Sequence, residues 1–486
     1  MWRGRVGLET RVAELEAALA AALAEIAELR ATVVERDAEL AEARERIAGL
    51  TEQVNRNSSN SSVPPSSDGL TKKPALPRKR GGKAGKQPGT PGRHLSQIDD
   101  PDVVVEHRPV ACRGCGAGLD AAEPVSASRR QVFDLPPIRL HVTEHRAVRC
   151  RCACGTETSA TFPAVASAPA CYGPGVRAAI AYLTTVHHLP VARAAQVLGD
   201  LVGAPVATGT VAGVTGEAAT KVAPTVAVIG RMLADSKVVC FDETGARVGG
   251  SLHWVHSAST GRLTHYSVHK RRGRQAMDAA GILPNFHGVA VHDCWSPYRH
   301  YTVDHALCAA HLLRELTAAA ETGRQHWAAT MSHVLLEALH AADAARTRGR
   351  DRIEPTVLAD IVARYDAAIA AGHAANPPPP KSGRRGRTRK SKPANLLERL
   401  DVLRDDVLRF TVDLEVPFTN NLAERDIRMT KLQQKISGCW RTLEGAEAFA
   451  TIRSYISTAR KHDINVLDVL RQAFDGNPWT PPAAIA

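Results

Sequence analysis

Val238-Val-Cys-Phe-Asp-Glu-Thr244, Leu252-His-Trp-Val-His-Ser257, Leu263-Thr-His-Tyr-Ser-Val268 and Val289-Ala-Val-His-Asp293 succeed one another within one stretch of the 486-residue sequence. Each run is short and rich in β-branched and aromatic residues, and Gly-bearing turns separate the first three, so the stretch predicts four strands. A helix is expected between the third and fourth, around residues 275–280. A fifth strand is expected over Asp304-His-Ala-Leu-Cys308, handing over to a helix with His311, Arg314 and Glu315. Three meandering strands, a helix, a strand and a further strand–helix unit make an α/β sheet of mixed direction. Asp242 and Asp293 each close an apolar strand, and adjacent strand ends are where such a sheet presents ligands to solvent.

Downstream, residues 326–415 are rich in Ala, Leu and Arg at helical spacing. They are interrupted by Pro377-Pro-Pro-Pro380 and then by Lys381-Ser-Gly-Arg-Arg-Gly-Arg-Thr-Arg-Lys390. This predicts helices joined by a basic loop, in which Arg384 and Arg385 meet DNA phosphates or are simply solvated. Asn420-Asn-Leu-Ala-Glu-Arg-Asp-Ile-Arg428 opens a further helix, with Asn where a side chain can cap free backbone N–H groups. Upstream, residues 170–232 read as short helices broken by Gly and Pro, either a helix-turn-helix that reads DNA or a structural helical layer.

Nearer the N-terminus, residues at alternating steps of four and three are apolar apart from Arg36: Leu8, Val12, Leu15, Leu19, Ala22, Ile26, Leu29, Val33, Arg36, Leu40, Ala43, Ile47, Leu50 and Val54. Residues 5–54 therefore predict a long helix with a heptad seam, which multimerises as a coiled coil or folds back on its own chain. Residues 55–100 turn abruptly to Asn, Ser and Pro and then to Lys72, Lys73, Arg78, Lys79 and Arg80. Such a segment cannot bury a core. It is a solvated linker or a basic arm on DNA phosphates.

Five of the ten cysteines fall within residues 101–165. Cys112-Arg-Gly-Cys115-Gly is followed some 35 residues on by Cys150-Arg-Cys152-Ala-Cys154-Gly155. Two close pairs of this form suit tetrahedral thiolate coordination of a structural Zn²⁺ better than disulfides. Cys152 and Cys154 are the favoured second pair, with Cys150 as the alternative partner.

Lys and Arg total 62 against 50 Asp and Glu, a formal charge of +12. That balance favours a polyanion such as nucleic acid over an acidic small molecule. Neither a signal peptide nor a run of about 18 apolar residues is found, so the expected setting is a reducing cytoplasm without a membrane.

Cutting and rejoining phosphodiesters calls for two divalent ions held by carboxylates, and Asp242, Asp293 and a third acid on a later helix could supply them. Singly, an Asp at a strand end is more often a turn residue, and a Glu on a polar helix face is usually just solvated. The blocks Phe241-Asp-Glu-Thr244, His292-Asp-Cys-Trp-Ser-Pro-Tyr298, Cys308-Ala-Ala-His-Leu-Leu-Arg-Glu-Leu316 and Asn420-Asn-Leu-Ala-Glu-Arg-Asp-Ile-Arg428 resemble the signature blocks of the insertion-sequence-66 family of bacterial transposases. So do the Asn/Ser/Pro block, the Gly-Lys-Gln-Pro-Gly run at Gly85–Gly89 and the cysteine pairs.

The resemblance implies a multidomain protein: coiled coil, linker, small zinc-binding module, helical DNA-binding region, and a ribonuclease-H-like α/β catalytic domain over residues 236–325 and 416–475. An all-helical insertion, residues 326–415, splits that domain. It further implies Asp242, Asp293 and Glu424 as the ligands of two Mg²⁺ or Mn²⁺ ions, and Cys112, Cys115, Cys152 and Cys154 as the ligands of Zn²⁺. Cys308, His311, Arg314 and Asn421 support the site, and Arg428 and Lys431 reach DNA phosphates. The expected function is a transposase that binds its element's terminal repeats and joins them to target DNA, nucleoid-associated when bound, as a homo-oligomer and with companion proteins of the element. A non-catalytic DNA-binding regulator, or a nuclease of the same fold, is the competing expectation.

Overall fold

The computed structural model describes residues 3–55, 95–136, 138–323, 325–378 and 390–482. Lys72, Lys73, Arg78, Lys79, Arg80, Arg384 and Arg385 lie outside them. Two compact units are present, residues 73–215 and residues 1–72 with 216–486. Among the described residues no helix is long and apolar enough to cross a membrane.

Gly and Pro are absent from Leu8 to Ala48 and Ala, Leu and Glu abound, so nothing interrupts α1 (Arg3–Asn55). Leu19, Ile26, Leu29, Val33, Leu40, Ile47 and Leu50 of its seam are all exposed.

In the unit of residues 73–215, β1 (Arg149–Arg151) and β2 (Glu157–Ser159) form a short antiparallel hairpin among the cysteines. Strands of three residues are too short to announce themselves by periodicity. α2 (Pro174–Thr185) starts with Pro in its first turn, where a missing N–H leaves no bond unmade. α3 (Val191–Val202) stops at Gly203, whose φ of 65° is the left-handed conformation of a helix end. The first turns of α4 (Thr208–Ala234) complete the unit.

The other unit is built on a five-stranded sheet in the order β5-β4-β3-β6-β7. β3 (Val238–Val248), β4 (Ser251–Ser259) and β5 (Thr264–His269) meander antiparallel. α5 (Arg274–Ala280) leads over to β6 (Val289–His292) and then β7 (Asp304–Leu307), both on the parallel side of β3. All five strands fall where the sequence predicts them. β3, however, continues past Asp242 to Val248, so Asp242 is not a strand end. Ala246 and Val248 carry the buried alternation onward, and Gly249 and Gly250, with φ of 55° and 79°, turn the chain straight back into β4.

Alternation along β3 divides the core. Val239 and Phe241 pack with Ile229 and Leu233 of α4 and with Met277, Phe286 and Tyr298. Cys240 packs on the opposite face with Val291, Ala306, Leu312 and Leu316. That second core runs on into α6 (Ala309–Gly323), α7 (His326–Thr347), α8 (Pro355–Ala375), α9 (Lys392–Val402) and α10 (Arg404–Val412). The helical block expected between the last strand and the glutamate helix is thus present. α11 (Asn421–Ser437) then returns to pack on β3 and β4, while α12 (Leu443–Lys461) covers β5 and α13 (Val466–Phe474) packs on α12.

Candidate active site and cysteine knuckles

Parallel pairing sets Val238 against Val289, Val239 against Ala290 and Cys240 against Val291. Two residues beyond the last of these pairs come Asp242, still within β3, and Asp293, just past the end of β6. Asp242 shares the face of Cys240, because side chains two apart in a strand point the same way. Asp242 Oδ1 accepts the N–H of Glu243 at 2.9 Å. Asp293 follows the last residue of β6, and its Oδ1 accepts the N–H of Trp295 at 3.0 Å. Between these, Cys294 adopts a φ of 72° and turns the chain away from the sheet. Burial raises the Asp242 carboxyl well above the usual carboxylate range, and Glu243, Glu424 and Asp293 push in the same direction. Asp293 and Glu424 are therefore both within electrostatic reach of Asp242.

Glu424 sits in the first turn of α11. Asn420 occupies the cap position, but its side chain does not cap the helix as the sequence suggests. Instead its Nδ2 donates to the carbonyl of Phe241 at 2.7 Å, next to Asp242, and its backbone N–H points at Cys308 Sγ at 3.1 Å. These bonds pin the start of α11 between β3 and the β7–α6 junction. Glu424 Oε1 then lies 3.7 Å from His311 Nδ1 and 4.0 Å from Cys308 Sγ. Burial raises the Cys308 thiol above its ordinary range. The nearby acid Asp426 faces elsewhere: its Oδ2 accepts Ser259 Oγ at 2.7 Å, Thr264 Oγ1 at 3.0 Å and Lys461 Nζ at 2.7 Å.

The remaining supporting residues separate. Arg314 lies one turn beyond His311 on α6, half-buried and without a hydrogen-bond or ion-pair partner among the described residues. Arg428 is exposed. Asn421 is exposed at the first position of α11, and its neighbour Asn420 is the one that enters the site. Lys431 Nζ donates to the carbonyl of Gly245 at 2.5 Å, and partial burial lowers its ammonium pKa. This bond helps to hold α11 to β3, and the residue remains exposed.

On the reverse face of β3, Glu243 is the residue that sequence reasoning missed. Its buried Oε1 accepts Arg272 Nε at 2.9 Å and Nη2 at 2.7 Å, and Oε2 accepts the Tyr298 hydroxyl at 2.6 Å. The Arg272 guanidinium lies 3.9 Å from the ring centre of Trp295 and 4.9 Å from that of Trp254. His292 stacks on Tyr298 at 4.4 Å and pairs through Nε2 with His305 Nδ1 at 3.0 Å. Burial takes His292 down to about 3, so it is neutral. The whole network fixes the 293–298 loop behind Asp293. The signal in the sequence was the pair Asp242-Glu243 itself, since adjacent residues of a strand face opposite sides.

In the cysteine module two similar turns form. Gly116 N–H donates to the Cys112 carbonyl at 2.9 Å, Gly114 N–H points at Cys112 Sγ at 3.4 Å, and Gly116 has a φ of 77°. Gly155 N–H donates to the Cys152 carbonyl at 2.9 Å with a φ of 88°. Hydrogen bonds from its own knuckle lower Cys112, and Thr156 and Cys152 bring Cys154 down to about 7. Each lowered thiol thus leans on the other cysteine of its own pair, Cys115 or Cys152. Cys150 instead lies within β1, opposite Thr158. Among the described residues no three of these five sulfurs come within 4.8 Å of one another.

Comparison with known families is consistent with this layout. Residues 169–448 match the family described as transposase IS66 family, and residues 109–155 match the zinc-finger binding domain of transposase IS66. Residues 11–96 match a family of unknown function. No curated protein matches the chain.

Proposed function

The chain belongs to the IS66 family of transposases, and on that premise we propose that it cuts and joins DNA ends at a site formed by Asp242, Asp293 and Glu424. One observation supports the reading: the β3–β6 pairing ends two residues before each aspartate, and Glu424 and Asp293 both lie near enough to Asp242 to raise its carboxyl. Three convergent carboxylates in a half-buried setting fit hard divalent cations, because like charges so placed repel until a cation neutralises them. Bound there, Mg²⁺ or Mn²⁺ supplies activation of the attacking oxygen and stabilisation of the leaving one. The chain's own part is to hold the acids still. Asn420 fixes the glutamate helix against β3, the Glu243–Arg272–Tyr298 network fixes the Asp293 loop, and Arg314, without a partner among the described residues, offers a cation for a phosphate.

A central β3 with antiparallel strands on one side and parallel strands on the other, interrupted by α7–α10 before α11, supports a ribonuclease-H-like catalytic domain with a helical insertion. Arg428 and the basic segments 72–93 and 381–390 would follow the DNA backbone, the helical region of residues 170–232 would read the terminal repeats, and α1 would join copies into a homo-oligomer. The Cys112–Cys115 and Cys152–Cys154 knuckles would close on one structural Zn²⁺, which the match over residues 109–155 supports. Asp242→Ala, Asp293→Ala and Glu424→Gln are each expected to abolish Mg²⁺-dependent joining of terminal-repeat duplexes while gel-shift binding persists. Joining retained by any of the three overturns the assignment, and cutting without joining in the native chain identifies a nuclease.

A further inference from the structure

Cys308, His311 and Glu424 form a group whose ligand atoms all lie within 4.8 Å of one another, and it is the one group of three such side chains found among the described residues. Cys308 immediately precedes α6 and His311 lies in its first turn, three residues on. The glutamate arrives from α11. A tetrahedral ion with bonds of about 2.3 Å to sulfur and about 2.0–2.1 Å to nitrogen and oxygen needs ligand separations of about 3.3–3.6 Å. The observed 3.7 Å from His311 to Glu424 and 4.0 Å from Cys308 to Glu424 require only a small closure. Two further features point to a ligand. His311 Nδ1 is buried and makes no hydrogen bond, and the Asn420 N–H aimed at Cys308 Sγ is the outer-sphere donor that a thiolate ligand ordinarily has.

Thiol, imidazole and carboxylate together make a donor set for zinc, whereas magnesium takes oxygen ligands and binds sulfur poorly. We propose that Cys308, His311 and Glu424 form an inhibitory Zn²⁺ site that withdraws Glu424 from the hard-metal carboxylate set. On binding, the Cys308 thiol gives its proton to water and the neutral imidazole binds through Nδ1. The withdrawal of Glu424 rests on the reading that it serves the catalytic set; zinc binding itself does not.

The full chain, stripped of metal and then dialysed against Zn²⁺ or Co²⁺, tests both parts. The native chain is expected to retain one more equivalent of zinc than Cys308→Ser or His311→Gln. With Co²⁺, the native-minus-Cys308→Ser difference spectrum should show a near-ultraviolet thiolate-to-cobalt band; the cysteine knuckles cancel in that difference. His311→Gln, at a part-exposed position, carries the comparison if Cys308→Ser fails to fold. Equal metal content in native and variant chains, or a flat difference spectrum, overturns the site. With Mg²⁺ in excess, zinc at about micromolar levels should cut joining by the native chain at least tenfold, and each variant should keep a larger fraction of its own zinc-free activity. Equal zinc sensitivity overturns the inhibitory role. Loss of the extra equivalent in the variants, from a native chain that never joins DNA, would instead leave this site standing and sink the catalytic reading.

Discussion

Asp242 carries the clearest physical signature in the protein. Its carboxyl is raised by burial and by three neighbouring acids, so its ionised form is disfavoured in the metal-free fold. A group whose pKa is higher folded than unfolded adds stability below its unfolded value, about 3.9 for Asp, and loses that contribution as pH rises through the folded value. At neutral pH, above the unfolded value, the metal-free chain has therefore lost stability at this position. Asp242→Asn is expected to raise its melting temperature by a few degrees at pH 7–8, with the gain vanishing below about pH 4. Calorimetry across that range checks this, and a lower melting temperature at neutral pH would show that no repulsion is stored there. The Glu424–Asp426 contrast belongs to the same scale. Both lie on α11, yet Asp426 is saturated by Ser259, Thr264 and Lys461, while Glu424 meets only a thiol and an imidazole.

The element that sets the site is the β3–β6 pair, and its register depends on a close approach just before β6. A Cβ at Gly288 would lie 2.3 Å from the carbonyl oxygen of Lys237, and Val289 N–H donates to that same oxygen at 2.8 Å. Backbone cannot yield there as a flexible side chain would. Gly288→Ala should cost about 1–3 kcal/mol in denaturant unfolding and should weaken joining beyond what the stability loss explains, by displacing Asp293 relative to Asp242. Stability and activity unchanged by this substitution would mean that the strands can part without harm. α11 is held along its length by Asn420 to Phe241 and by Lys431 to Gly245. The sequence marked Lys431 for DNA because a lysine near a catalytic helix commonly meets phosphate. In the fold it also donates to a carbonyl, since α11 crosses β3 closely enough for a long side chain to reach the strand.

For the molecule as a whole, the unresolved energetic question is α1. A single 53-residue helix with its described seam residues exposed leaves apolar surface in water, which association of copies would bury. The full chain is expected to sediment as a multimer of its 52.1 kDa mass, and Leu29→Asp with Val33→Asp should reduce the order of assembly. A native chain that sediments as a monomer would exclude the helix as an assembly device. The +12 charge acts at this scale too, drawing the chain to DNA without choosing a sequence.

By itself the sequence determined the long helix, the positions of all five strands of the sheet, the helical block before α11 and the close cysteine pairs, because each is written in local spacing: heptads, short β-branched runs and adjacent thiols. The family resemblance singled out Glu424 among many acids. Only the tertiary structure decided that β3 continues past Asp242, that Asn420 rather than Asn421 enters the site, that Lys431 is bound to a carbonyl, and that Glu243 closes the reverse face with Arg272 and Tyr298. Each of these is a pairing between segments far apart in the chain. Local periodicity fixes which face a side chain takes, whereas the partner on that face is set by how the sheet and helices pack.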